Sequence, residues 1–527
     1  MTEQRAGTAA AEPDQQAVLD FLDGSSFGES KGGKRIDTHA SMVFLAGDRA
    51  LKVKRAVRLP FLDYSTLEKR KRACEEELNV NAGNAPELYR RVVAITRNSD
   101  GRLEIDGSGT PVEWAVEMAR FDEEKSLDRL AASGTVDASL AVAIADAIFR
   151  SHDKAPRSDG ASWLASIPTL MDRNTAKFRM VRGVDAAAVD RLDAASRDFL
   201  KRHREQLGRR AAQGFVRRCH GDLHLANIAL VEGRPLLFDA IEFDPVIATT
   251  DILYDLAFTL MDLIHFNQGA AANVVFNRYL AQAKDLEFDG LGLLPLFMSL
   301  RAAIRAHVLF TKSEQAEDGE AARRDAFRYF DLATRLIVPT PPMLVAIGGL
   351  SGTGKSVLAR GLAGLIEPPP GALIVRSDVI RKQLFGVGET TRLPEAAYSA
   401  DVTASVYDTL SNTAERVLAQ GCSVVLDAAY LRAPERAGLA SLTRKQGARF
   451  VGLFLMADLA TRLARIGQRK GDASDATREV ALMQEHFTIG AVDWHMIDAS
   501  GTPEQSLSYA RALLPKPAMV GGGIPTP

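Results

Sequence analysis

Gly349-Leu350-Ser351-Gly352-Thr353-Gly354-Lys355-Ser356 has the spacing G-x-x-x-x-G-K-S. An apolar run, Met343 to Ile347, leads into it, and a helical pattern, Val357 to Ile366, follows. Glycines at such a strand-to-helix turn let successive backbone N–H groups converge on phosphate oxygens, and the helix N-terminus adds partial positive charge. The segment from Gly349 through Ser351, Gly352, Thr353 and Gly354 would form the cradle. Lys355 would reach the β- and γ-phosphates, and the Ser356 hydroxyl would join the Mg²⁺ shell. Such residues point to a nucleoside triphosphate, ATP with Mg²⁺.

A second group of residues reads His220-Gly221-Asp222-Leu223-His224-Leu225-Ala226-Asn227, followed by Leu236-Leu237-Phe238-Asp239. Transfer of a phosphoryl group needs one carboxylate to accept a hydroxyl proton, and an amide with another carboxylate to hold Mg²⁺ between phosphates. Asp222 suits the first role; Asn227 and Asp239 suit the second. For His220 and His224 the residue types favour loop-shaping hydrogen bonds over catalysis.

The glycine-loop half offers further charged groups. Leu373-Ile374-Val375-Arg376 runs into Ser377-Asp378-Val379-Ile380-Arg381. A carboxylate at the carboxyl end of the strand beside the glycine loop faces the crevice where an acceptor lies. Asp378 would then be a base and Arg381 a holder of an anionic acceptor group; a helix cap and a solvated charge are the competing readings. Ser423-Val424-Val425-Leu426-Asp427 ends an apolar strand in a carboxylate suited to Mg²⁺ through water, with a cap again the alternative. Arg462, Arg465 and Arg469 recur at helical spacing before Lys470-Gly471-Asp472-Ala473-Ser474-Asp475-Ala476. They would close over the triphosphate or form a solvated basic face.

These groups need elements to hold them. At 527 residues the chain is too long for one core. Val338-Pro339-Thr340-Pro341-Pro342 ends a helical pattern, Arg323 to Ile337, and marks a linker at 338–342. Beyond it, 343–515 alternates helical patterns with strands at Met343–Ile347, Leu373–Arg376, Ser423–Leu426, Phe450–Phe454 and Trp494–Ile497. That order predicts an α/β domain with a parallel sheet covered on both faces. Ahead of the linker, 17–337 forms the other domain. Short β-rich runs (Ser41–Leu45, Ala50–Lys54, Trp114–Met118) surround a charged helix, Ser65–Ala82. A mostly helical stretch follows, interrupted by a hairpin-like segment at 216–243. The expectation is a bilobal α+β fold. Residues 1–16 and 516–527 read as tails.

A net charge of −2 gives no bulk attraction for nucleic acid or an anionic membrane. Cys74, Cys219 and Cys422 are far apart with no C-x-x-C pairing, which suggests neither a disulfide framework nor a zinc site and fits the reducing cytoplasm. No signal-peptide pattern opens the chain, and no uninterrupted apolar run approaches ~20 residues.

On His220-Gly221-Asp222-Leu223-His224 with Asn227, and on Asp251-Ile252-Leu253-Tyr254-Asp255-Leu256-Ala257, the 36–337 region resembles the aminoglycoside phosphotransferase branch of the protein-kinase-like fold. The resemblance implies a nucleotide lysine on the third strand, Ala50-Leu51-Lys52-Val53-Lys54. Both lysines point to one strand face, so spacing leaves them undecided; the family's Ala-Leu-Lys pattern selects Lys52. Its ion-pair partner should come from Glu75, Glu76 or Glu77, of which Glu77 is taken. This sequence departs from the pattern here: no G-x-G-x-x-G precedes the lysine strand, and Asp37-Thr38-His39-Ala40-Ser41 occupies that place, leaving the Ser41 hydroxyl and nearby amides to cover phosphate.

The Asp378-x-x-Arg381 strand end and the Asp472-to-Ala476 segment make the rear half similar to small P-loop kinases, among them gluconate kinases, zeta toxins and the kinase domain of polynucleotide kinase. Sequences of this kind are often grouped with AAA-type ATPases. The resemblance implies Asp378 as base and late arginines as a lid. Together the two halves imply an ATP- and Mg²⁺-dependent phosphotransferase acting on a hydroxyl-bearing small molecule. Two alternatives remain: a nucleotide-dependent regulator whose front half senses a partner, and 5′-hydroxyl polynucleotide kinase activity in the rear half.

Overall fold

The computed structural model describes residues 13–24, 34–38, 40–59, 62–283, 285–315, 319–469, 471–487 and 489–515. Residues 1–12 of the expected tail at 1–16, the expected tail at 516–527, His39 and Lys470 lie outside the described residues. Contacts divide the chain into two compact units. One holds 1–177 with 201–262, the other 178–200 with 263–527. This divide runs between residues 262 and 263, and three helices that precede the prolines (Gly269–Gln282, Leu294–Gln315 and Glu320–Ile337) join the rear unit.

The front unit is built on a six-stranded antiparallel sheet in the order Lys34–Asp37, Ser41–Ala46, Arg49–Lys54, Thr110–Ala119, Tyr89–Arg97, Leu103–Ile105. Alternation assigns its two faces. Leu51 and Val53 join Met42, Phe44, Val93 and Ile95 under the helix Pro13–Gly24. This helix starts inside the stretch read as a tail, and Gln15 is buried with Nε2 donating to the Lys54 carbonyl at 2.9 Å. Ala50, Lys52 and Lys54 face the opposite way, toward the helix Leu67–Asn81. Thr66 caps that helix by accepting from the Lys69 N–H.

The hairpin-like segment resolves into a short strand, Val216–Arg218, and a two-stranded hairpin, Ile228–Val231 with Arg234–Leu237. The helix Ile252–His265 follows and is apolar nearly all round, as a core helix must be.

In the rear unit five parallel strands lie in the order Leu373–Arg376, Val424–Asp427, Met343–Gly349, Arg449–Met456, His495–Asp498. The expected strand runs are all present, shifted by a residue or two at their ends. One adjacency needs correcting: the strand leading to Asp378 does not neighbour the glycine-loop strand, because Val424–Asp427 lies between them. Helices Lys355–Ala363 and Pro503–Leu513 cover one face with Leu358, Leu362 and Ala510. The stretch Phe288–Glu314 is long and apolar enough to cross a membrane by length and composition; 67% of its apolar window is buried, the pattern of a core helix.

Candidate active sites

The rear site begins where the Met343–Gly349 strand turns. Gly349 has φ 135°, and a Cβ there would meet the Leu455 carbonyl oxygen at 2.4 Å. Gly352 has φ 88° and lies against the backbone of Arg462. Only glycine suits such crowded left-handed positions. Gly354, also left-handed, starts the Lys355–Ala363 helix. Ser351 N–H donates to Gln484 Oε1 at 2.8 Å, and Thr353 Oγ1 to the Leu350 carbonyl at 2.8 Å. Lys355 Nζ donates to the carbonyls of Gly349 (2.9 Å) and Leu350 (3.1 Å). Burial lowers its pKa even with Asp427 and Asp378 nearby.

Ser356 Oγ donates to Asp427 Oδ2 at 2.6 Å, so the hydroxyl and the strand-end carboxylate are brought together. Asp378 stands in the first turn of the helix Ser377–Leu384. Burial, then the charge of Asp427, raises its pKa. Arg381 is buried beneath Tyr398, with its Nη1 donating to the Ala397 carbonyl at 2.6 Å. Ser351 through Ser356, Asp378, Arg381, Asp427, Arg465 and Arg469 all line a single cavity of about 1290 Å³.

The three arginines do not act alike. Arg465 reaches the carbonyls of Thr353 and Gly501, and Arg469 lines the cavity with a buried Nη1 that has no hydrogen-bond partner among the described residues. Arg462 is a correction: it is fully buried and paired with Glu485. Arg462 and Arg465 lie about 60° apart on the helix Leu459–Gly467, with Arg462 on its inward side, and Arg469 lies beyond the helix end.

Two charged clasps escape the sequence reading. Arg376 contacts Asp427, Ser356 and Asp472. Lys382, only 1% exposed, pairs at 2.5 Å with Asp475, which also accepts from Tyr398 OH and Leu393 N–H. Both aspartates belong to the segment singled out by resemblance; no spacing rule marks their cationic partners.

In the front unit both strand lysines converge on one carboxylate. Lys52 Nζ is 2.7 Å from Glu77 Oε1 and 2.5 Å from Asp239 Oδ1. Lys54 Nζ is 2.6 Å from Glu77 Oε2 and also pairs with Glu242. Burial opposes charge on Lys52, but Asp239 and Glu77 raise its pKa well above the ordinary value. Glu76 instead meets Arg218 at 3.0 Å, and Glu75 lies near Lys71.

Asp222 stands beside Asn227, whose Nδ2 donates to the Asp222 carbonyl (2.9 Å) and Oδ2 (3.2 Å). The Phe238 N–H donates to the Asn227 carbonyl at 3.0 Å, which sets Asn227 and Asp239 at the same end of the hairpin. His220 donates from Nε2 to the Phe238 carbonyl, and burial keeps its pKa below the usual imidazole value. The loop hangs from the helix Ile252–His265. Asp255 accepts the N–H groups of His220 and Gly221, Asp262 accepts that of Leu225, and Thr259 donates to the Leu223 carbonyl. Ser41 is buried in a turn in which its N–H donates to Thr38 Oγ1.

Residues 85–290 match the profile of the family described as "Phosphotransferase enzyme family", and residues 344–488 match that of an "AAA domain". Uncharacterized protein Rv2004c of Mycobacterium tuberculosis (strain ATCC 25618 / H37Rv) is 29% identical over 486 residues, 90% of this chain and 94% of that protein. Similar solved structures include a choline/ethanolamine kinase family protein from Mesorhizobium loti (13% identity, 62% of this chain and 99% of that one, TM-score 0.37). A gluconokinase from Sinorhizobium meliloti 1021 is 18% identical over 32% of this chain and 90% of its own, with a TM-score of 0.24. The chain thus carries two kinase-like domains, one of the phosphotransferase enzyme family and one a P-loop domain of the AAA type.

Proposed function

We propose that the protein is an ATP- and Mg²⁺-dependent phosphotransferase with a nucleotide site in each kinase-like domain, each passing a γ-phosphoryl group to a hydroxyl of a small-molecule acceptor. The observation that carries this reading is the Ser356–Asp427 pair, 2.6 Å apart, facing the same cavity as Lys355 and Asp378. A hydroxyl and a carboxylate are hard oxygen donors that suit Mg²⁺. At about 1290 Å³ the cavity exceeds the usual range for one small ligand, roughly 300–1,000 Å³, and has room for nucleotide and acceptor together.

Ser356 and Asp427 would hold Mg²⁺, whose positive charge would offset that of the phosphates. The chain's own groups account for the rest. Lys355 would leave the loop carbonyls for the β/γ-phosphates. Asp378, its pKa raised by burial, is matched to taking a proton from an acceptor hydroxyl. Arg465 and Arg469 would offset charge on the transferring group, and Arg381 would hold an anionic part of the acceptor. In the front domain Lys52, set by Glu77, would hold phosphate and Asp222 would be the base; Asn227 and Asp239 suit the metal. Free thiols at Cys74, Cys219 and Cys422 accord with a cytoplasmic setting.

The test is an ATP-consumption screen over hydroxyl-bearing metabolites and aminoglycosides, with wild type beside Asp222→Ala and Lys355→Ala. Each variant should remove the acceptor-dependent signal of one domain. Acceptor-independent hydrolysis that is lost with Lys355→Ala and untouched by Asp222→Ala would replace this proposal with the regulatory reading.

A further inference from the structure

Arg376 ends the Leu373–Arg376 strand, two residues before Asp378. Its side chain is mostly buried and makes three polar contacts. Nε lies 3.2 Å from Asp427 Oδ2, and Nη2 lies 3.1 Å from Ser356 Oγ and 2.8 Å from Asp472 Oδ1. One guanidinium therefore rests on the hydroxyl and the carboxylate to which the proposed function assigns Mg²⁺. The same group reaches a third carboxylate in the segment 471–477.

That segment is held by charge. Asp472 accepts the Ser474 N–H at 3.0 Å, and three residues on Asp475 is gripped by Lys382 and Tyr398. Asp472 and Asp475 both line the cavity. The Arg376–Asp472 contact does not involve Ser356 or Asp427, so it can persist when the others break.

We propose that Arg376 is a positioning residue: an internal counter-ion that holds the Ser356–Asp427 pair, competes there with the divalent cation, and couples that exchange to the 471–477 segment through Asp472. This rests on the reading of the P-loop site above. Two cations in contact with one carboxylate oxygen repel, so an arriving divalent ion weakens the hold of Arg376 on Asp427. Arg376 then stays with Asp472, and the segment moves with it. Lys355, held by the loop carbonyls, is not a substitute, since it makes neither contact.

The full-length chain is tested as Arg376→Gln and Arg376→Lys, with Asp427→Asn as background control. Mn²⁺ binding is followed by electron paramagnetic resonance without nucleotide. Hydrogen exchange over 471–477 is followed with and without Mg²⁺ and ADP. Arg376→Gln should bind Mn²⁺ about three- to tenfold more tightly, because Asp427 loses its internal cation, and Asp427→Asn should erase that gain. Its 471–477 exchange should no longer respond to Mg²⁺ and ADP. Arg376→Lys should keep near wild-type Mn²⁺ affinity but lose the response, since one ammonium lacks the forked reach to both carboxylates. Unchanged or weaker Mn²⁺ binding in Arg376→Gln overturns the proposal. Should that variant not fold, an undiminished response in Arg376→Lys does so. ADP binding by the wild type tests the P-loop reading separately, and the nucleotide-free Mn²⁺ measurement does not depend on its outcome.

Discussion

Lys52 and Lys54 show how two identical side chains on one strand face take different parts. Lys52 shares Glu77 with its neighbour and meets Asp239, a carboxylate left partly exposed. Lys54 is 1% exposed between Glu77 and Glu242, and Tyr64 OH donates to Glu242 at 2.9 Å. Removing one member of a buried ion pair strands its partner in low dielectric. Lys54→Ala should therefore cost about 3–5 kcal/mol of unfolding free energy in urea, and Lys52→Ala distinctly less. Nucleotide affinity should fall more with Lys52→Ala; the reverse ranking would exchange their roles. His220 supplies a pH test. Burial holds its folded pKa below the ordinary value of 6.5, so the unfolded chain binds more protons between the two values. Its contribution to stability is present above that pH and is lost as pH falls through 6.5 toward the folded value. Urea unfolding across this range should show the loss, and His220→Gln should flatten it.

Among the elements, the His220–Asn227 loop takes its shape from the helix Ile252–His265 behind it. Asp255, with no exposure, accepts two consecutive loop N–H groups and contacts His152 at 3.2 Å. The acidic helix start expected from the sequence thus has a mechanical sense: Asp255 pins the His220–Asn227 loop, while Asp251 pairs with Arg210. The rear sheet has a comparable device. Leu373–Arg376 is an edge strand, and the helix Gly269–Gln282 covers its open side with amides. Asn277 accepts the Ile374 N–H at 2.8 Å, and Asn273 donates to the carbonyls of Pro370 and Ala372. Asn277→Ala leaves edge groups unpaired and should lower stability by about 1–3 kcal/mol. Denaturant unfolding unchanged by this substitution would mean that water serves the edge equally well.

Over the whole molecule, two kinase-like domains share one chain, each with its own triphosphate chemistry on the proposed reading. Calorimetry with a non-hydrolysable ATP analogue should resolve binding to both; Lys355→Ala should abolish the rear site and Lys52→Ala weaken the front one, each independently. A single binding event lost with either substitution would contradict separate sites. The compact units do not break at Val338–Pro342. The helix Glu320–Ile337 and its neighbours group with the parallel sheet by contact.

Patterns confined to a few consecutive residues were readable directly. The glycine loop, the strand ends at Arg376 and Asp427 and the loop from His220 to Asn227 owe their form to local backbone constraints, which the residue types state. Strand alternation likewise turned Lys52 and Lys54 to one face. The Tyr89–Arg97 strand was harder to see, since Arg90 and Arg91 interrupt its apolar pattern and find Glu117 across the sheet. Which lysine meets which carboxylate, the burial of Arg462, the order that sets Val424–Asp427 beside the glycine loop, and Arg376 between Ser356 and Asp472 were decided only by tertiary structure. Those pairings join residues far apart in the chain, and Coulombic attraction and burial depend on distance through space, which sequence spacing does not record.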